Sequence, residues 1–240
     1  MIIYPAIDMR GGKVVRLKLG DPTRQTVFGD DPVAMAAHWQ GLGAQWLHVV
    51  NLDGALEAAS APLGLMRAMA NRGLNVQLGG GIRTRDAVAA ALDAGVARVV
   101  IGTAAVESPP LVESCIAEFG SEAICIALDS RDGYITTRGW TESSKQTPAE
   151  FGLRLAVVGV RHALYTDVSR DGMLNGSAVD STIQLARDTG LSVIASGGVQ
   201  SVAELRTLAA SSVVGGAVIG MALYTGQLSL PDALAAVKEG

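Results

Sequence analysis

Leu78–Thr84 reads LGGGIRT, and Ala195–Ser201 reads ASGGVQS. The two stretches lie 117 residues apart, about half of a 240-residue chain. Three further pairs keep nearly that spacing: Val99–Ala105 (VVIGTAA) with Ala217–Leu223 (AVIGMAL) at 118, Asp53-Gly54 with Asp171-Gly172 at 118, and Asp8 with Asp129 at 121. One such match is weak in a chain holding 29 glycines, but four at one offset mark a duplicated half.

The duplicated motifs sit at the ends of short apolar runs. Eight runs stand out: Ile2–Ile7, Trp46–Val50, Asn75–Leu78, Arg98–Ile101, Ala123–Leu128, His162–Thr166, Ser192–Ala195 and Ala217–Ile219. Near-continuous apolar character without strict alternation predicts parallel strands covered on both faces. Between them lie alanine-rich amphipathic segments with helix punctuation. Asp31-Pro32 and Thr147-Pro148 offer a capping side chain before a first-turn proline, Ser201–Glu204 reads as a capping box, and Gly43, Gly73, Gly95 and Gly190 stand where helices end. Eight β–α units of about 30 residues fill residues 1–240 as one domain without a linker. The expectation is an α/β chain folded as a (β/α)8 TIM barrel, built from two half-barrels about a pseudo-twofold axis.

Composition narrows the function. Half the residues are hydrophobic (49%), 18% are charged, and the net charge of −4 argues against a nucleic-acid binder, which would carry a basic face. Cys115 and Cys125 are too few for a disulfide framework or a multi-cysteine zinc site, and His38, His48 and His162 lack metal-ligand spacing, so no metal and no cofactor are expected. The opening MIIYPAID lacks the basic and apolar parts of a signal peptide. Thr207–Pro231 carries no charge, but its densest part, Val213–Tyr224, is half the ~20 residues a spanning helix needs and is broken by glycines. A buried strand leading into a helix fits it better, and a cytoplasmic location is expected.

In this fold the site is built at the C-terminal ends of the strands. Gly80-Gly81, Gly102-Thr103, Gly197-Gly198 and Gly220-Met221 all follow apolar runs directly. Glycine there lets backbone N–H groups approach an anion, and a barrel with one phosphate site places it after strands seven and eight. The same device after strands three and four predicts two phosphate sites and a ligand phosphorylated at both ends. The plain alternative is that these glycines only make tight turns. Strands one and five face each other, so Asp8 and Asp129 would enter the mouth from opposite walls; carboxylates ending apolar strands suit proton transfer, one giving and one taking, unless each merely caps the next helix. No lysine ends an apolar run ready for a Schiff base: Lys13, Lys18 and Lys145 read as loop residues and Lys238 as tail.

Taken together, PAIDMRGGKVVRLKLGD (Pro5–Asp21), WLHVVNLDGA (Trp46–Ala55), GGGIRT, VIGTAAV (Val100–Val106), YTDVSRDGMLNG (Tyr165–Gly176) and SGGV (Ser196–Val199) resemble the ProFAR isomerase family of histidine biosynthesis over essentially the whole chain. The resemblance implies a cofactor-free Amadori rearrangement of a bis-phosphorylated ribotide by a monomer. It makes Asp8 the base that removes the C2′ proton and Asp129 the acid that protonates the ring oxygen, its pKa raised by desolvation and nearby negative charge. Thr166 and Asp171 fall beside the reacting sugar, Gly176 belongs to the same matched segment, Trp140 stacks on the substrate or lids the site unless it only packs its loop, and Arg16, with Arg83 a weaker case, contacts the substrate unless it is a solvated loop charge. The related cyclase family begins its site Cys-Leu-Asp with a lysine in the first loop; here stand Ala6-Ile7-Asp8 and Arg16. Met221 departs from the Lys or Arg usual in the isomerases and removes a cation near one phosphate. Arg138-Gly139-Trp140 resembles a segment of members that also isomerise phosphoribosyl anthranilate, which makes a dual-substrate enzyme the first alternative and a non-catalytic phosphate-binding barrel the second.

Overall fold

The computed structural model describes residues 1–18, 20–57, 59–171 and 178–238. The chain begins with β1 (Ile2–Arg10), makes an excursion through β2 (Lys13–Lys18) and β3 (Asp21–Gly29), and enters α1 (Pro32–Gly41). There follow β4 (Trp46–Asn51), α2 (Leu52–Glu57), α3 (Leu63–Ala70), β5 (Asn75–Gly79), α4 (Arg85–Asp93), β6 (Arg98–Ile101), α5 (Thr103–Glu107) and α6 (Pro109–Phe119). The second half opens on β7 (Ile124–Arg131) and makes its own excursion through β8 (Tyr134–Thr137) and β9 (Glu142–Ser143). It continues with α7 (Pro148–Val157), β10 (His162–Asp167), α8 (Val179–Thr189), β11 (Ser192–Ser196), α9 (Val202–Ala210), β12 (Val214–Ile219), α10 (Met221–Tyr224) and α11 (Leu230–Ala236).

β1, β4, β5, β6, β7, β10, β11 and β12 pair in parallel in that order, and β12 pairs back to β1, so the sheet closes. Each of the eight apolar runs contributes one of these strands, and the fold is a (β/α)8 barrel. β1 and β7 stand four strands apart, on opposite walls. The two excursions are the departure from expectation. β2 pairs antiparallel with β1 and β3, and β8 with β7 and β9. Lys13 and Lys18 therefore open and close a strand, where the sequence reads as loop. The last barrel strand also starts earlier than its apolar run, because Gly215 and Gly216 belong to it. A Cβ on Gly216 would lie 2.6 Å from the Tyr4 ring and one on Gly215 2.1 Å from Ser192 Oγ, so only glycine lets these strands meet.

The helix caps form as their residues dictate. Asp31 accepts from the Val33 and Ala34 amides, and Thr147–Glu150 and Ser201–Glu204 are reciprocal capping boxes. Outside the sheet, the helices bury a continuous aliphatic core. Inside it, Tyr4, Ala6, Val100, Cys125, Leu164, Ile194 and Val218 fill the barrel. At the N-terminal ends of the strands Arg98 closes the floor: Nη1 donates to Tyr4 Oη (3.0 Å) and Gln77 Oε1 (3.4 Å), Nε to the Glu122 carbonyl (3.0 Å), and the guanidinium lies 4.8 Å from the Trp46 ring centre. A buried cation so fully partnered belongs to the scaffold, and the opposite end is left for chemistry. Among the described residues no helix is long and apolar enough to cross a membrane.

Candidate active site

At the C-terminal end of the barrel the two halves repeat each other in backbone geometry. Gly80 and Gly81 have φ of +92° and +81°, Gly197 and Gly198 +84° and +78°. Gly102, ahead of α5, has φ, ψ of −101°, −108°, and Gly220, ahead of α10, −106°, −103°. Consecutive N–H groups of such loops form concave anion nests. Packing demands the first pair as well: a Cβ on Gly80 would lie 2.2 Å from the Asn51 carbonyl oxygen and one on Gly81 2.7 Å from the Gly54 backbone. The expected tight turns form, in matching conformations in the two halves.

The loops after β11 and β12 enclose a small cavity lined by Arg16, Asp171, Gly197, Gly198, Gly220 and Met221. Arg16 comes from β2. Its Nη1 donates to Asp8 Oδ2 at 2.5 Å, with both side chains largely buried. Its Nη2 lies against Gly220, where an added Cβ would fall 1.2 Å from it. Burial opposes the guanidinium charge, but Asp8, Tyr224 and Asp171 outweigh it and raise its pKa. Arg16 is no solvated loop charge; it lines the cavity as a largely buried cation beside Met221. Tyr224, which the sequence does not single out, holds this arrangement: its ring centre lies 5.7 Å from the guanidinium and its hydroxyl donates to the Ala6 carbonyl at 2.9 Å.

On the opposite wall Trp140 Nε1 donates to Asp129 Oδ2 at 2.8 Å, and the Thr166 hydroxyl bonds the same carboxyl from the neighbouring strand. Burial raises the Asp129 pKa and these two donors hold it back. The desolvation part of the expectation is met, but the negative-charge part falls on Asp171. There burial comes first, Arg16 opposes it, and Asp8 and Asp129 add to it, leaving the carboxyl pushed up to about 6. Three carboxylates therefore share one electrostatic site, and neither Asp8 nor Asp129 caps a helix.

Each excursion serves its own half's aspartate and the other half's loop. The first sends Arg16 to Asp8 and to Gly220. The second sends Trp140 to Asp129, while the Arg138 amide donates to Thr103 Oγ1 at 2.8 Å and the Arg138 side chain pairs with Glu107 and Glu142. The repeated Asp-Gly pairs have diverged: Asp53 accepts from the Gly11 amide at 2.8 Å and anchors the first excursion, whereas Asp171 faces Arg16. Arg83 is exposed and donates to the Ala55 carbonyl at 3.4 Å. Gly176 and Gly172 lie outside the described residues.

Compared with known proteins, residues 2–229 match the profile of a family described as histidine biosynthesis protein. The chain is 48% identical to the 1-(5-phosphoribosyl)-5-((5-phosphoribosylamino)methylideneamino)imidazole-4-carboxamide isomerase of Geobacillus thermodenitrificans over 240 residues, covering 99% of this chain and 98% of that one. It is 47% identical to the protein of the same name from Bacillus subtilis, covering 98% and 97%, and 48% identical to that of Roseiflexus castenholzii, covering 99% and 100%.

Proposed function

The chain belongs to the ProFAR isomerase family of histidine biosynthesis, and on that premise we propose that it opens and isomerises a bis-phosphorylated aminoaldose ribotide to the aminoketose, with Asp8 as base and Asp129 as acid. Asp129 gives a proton to the ring oxygen as the C1′–O bond breaks and the substrate nitrogen closes a C1′=N bond. Asp8 then takes the C2′ proton, the C–H pair forms a C1′=C2′ bond as the C1′=N π pair returns to the nitrogen, and the resulting enaminol tautomerises to the ketone. The twin glycine loops fit the two phosphates, and clamping both ends would fix the sugar between the acids.

The observation that carries the assignment is the difference between the donors. Asp8 is hydrogen-bonded by the Arg16 guanidinium, whereas Asp129 is desolvated and bonded by a neutral indole, and its raised pKa suits a group that holds a proton to give. Two carboxylates placed for opposite duties also speak against a purely binding role. Turnover of Asp8→Asn and Asp129→Asn on the ProFAR substrate tests this: each should fall at least about a thousandfold with the fold intact, and near-wild-type rates in either would reject its role.

A second reading of the acid has one observation behind it. Asp171 is pushed up to about 6 by burial, with Asp8 and Asp129 adding to the shift. If Asp171 is the donor, Asp171→Asn loses the alkaline limb of the pH–rate profile and Asp129→Asn keeps it. The relatives are named for the single reaction, and Arg138 is engaged with Glu107 and Glu142, so the reading stops at one substrate. One chain supplies both loops and both aspartates, which supports a working monomer, and a soluble metabolite as substrate fits the cytoplasm.

A further inference from the structure

Among the described residues Arg16 is the one cation lining the β11–β12 cavity, and it is also bonded to the candidate base. The two contacts come from different nitrogens of one planar fork: Nη1 on Asp8 Oδ2 and Nη2 against Gly220. The bond engages one lone pair of Oδ2 and fixes the orientation of the Asp8 carboxylate toward Arg16, away from any other partner of that oxygen. The guanidinium also lines the cavity beside these loops, with Nη2 against Gly220. A dianion offers the fork a bidentate partner of higher charge than a carboxylate, and the guanidinium already touches the loop, so it needs to slide rather than swing.

We propose that Arg16 is an anion-operated latch on Asp8: with the cavity empty it holds the base, and a phosphate seated on the Gly197-Gly198 and Gly220 loops draws it off and frees the carboxylate. The proposal rests on the isomerase reading of the site and adds its regulation: the base is released only when the correct end of the ligand is seated. Other groups set the balance around Asp8. Asp171 and Tyr224 border Arg16, Asp129 faces from β7, and His48 of β4, whose imidazole burial lowers to about 4, stays neutral and does not compete for the carboxylate. The latch is thus decided between Asp8, Asp171 and the incoming dianion.

Two measurements on the full chain test it. A crystal structure with inorganic phosphate should show the ion on the Gly197, Gly198 and Gly220 amides and the Arg16 Nη1 to Asp8 Oδ2 distance opened beyond about 3.5 Å. Phosphate bound with the pair intact overturns the latch but leaves the phosphate loop standing; no phosphate on these loops overturns both. In kinetics, the two substrate analogues that each lack one phosphate are assayed with and without inorganic phosphate. For one of them kcat/KM should rise at least about tenfold with phosphate in the wild type and less than about twofold in Arg16→Met. Absence of activation in the wild type, or equal activation in Arg16→Met, rejects the proposal, while failure of the wild type on the complete substrate rejects the isomerase reading itself.

Discussion

Trp140 rests on Gly20: a Cβ added to Gly20 would lie 2.6 Å from Cε3 of the indole. The contact joins the two excursions, one inserted after β1 and the other after β7, above the mouth of the barrel. The same indole bonds Asp129, and the strand before Gly20 carries Arg16, which bonds Asp8. The two aspartates are therefore tied to one another through their own hairpins, over the space a substrate would occupy.

Gly20→Ala tests that tie. Gly20 has φ of +71°, a conformation that costs an L-residue about 1 kcal/mol, and the methyl would also collide with the indole. The variant should fold, keep its thermal midpoint within a few degrees, and lose about tenfold or more in kcat/KM through displacement of Trp140. Unchanged kinetics would show that the contact does not position the indole.

Trp140→Phe keeps an aromatic ring on Gly20 and removes the N–H that favours the ionised form of Asp129. The proton then binds Asp129 more tightly. A hydrogen bond to a charged group is worth about 1.5 kcal/mol, so the alkaline limb of the kcat/KM profile should move up by about one pH unit. A limb that stays put or moves down contradicts Asp129 as the acid.

Asp171→Asn should stabilise the protein in alkali and not in acid. The carboxyl binds its proton more tightly when folded, at about 6 against an ordinary value of 3.8. Its destabilising effect is absent below the ordinary value, grows as pH rises, and is complete above about 6. Urea unfolding at pH 8 should show the variant more stable by up to about 3 kcal/mol, with no gain at pH 4. A gain of the same size at both pH values would mean that ionisation is not the cause.

Arg98→Met separates scaffold from site. Removing the guanidinium strands Tyr4 Oη, Gln77 Oε1 and the Glu122 carbonyl in the barrel floor, a loss of about 3 kcal/mol by chemical denaturation. Because Arg98 lies at the far end of the strands, KM at a temperature where the variant is folded should match the wild type. A raised KM would mean that the floor and the mouth are coupled.

Much of this was legible in local sequence because it depends on local rules. The eight apolar runs, the capping boxes and the glycine pairs are set by burial, by cap chemistry and by backbone conformations that only glycine adopts readily, and the duplication could be seen by comparing the chain with itself. That reasoning placed Asp8 and Asp129 on opposite walls and found the cavity-lining glycines. β2 and β3 are less legible: β2 buries Val14, Val15 and Leu17 in a short run between the lysines that read as loop, and β3 is exposed and polar and becomes a strand by pairing with β2. The same reasoning passed over Gly20 and Tyr224, whose importance lies in what they touch.

What the linear chain settles by itself is the barrel, its internal repeat and the catalytic candidates, since these follow from periodicity, residue type and the match of one half of the chain to the other. Which donor reaches which carboxylate, which aspartate loses its water, and where Arg16 rests are decided only on folding. Hydrogen bonds and desolvation act over a few ångströms of space, and the closed sheet brings together residues eight, eleven or two hundred positions apart.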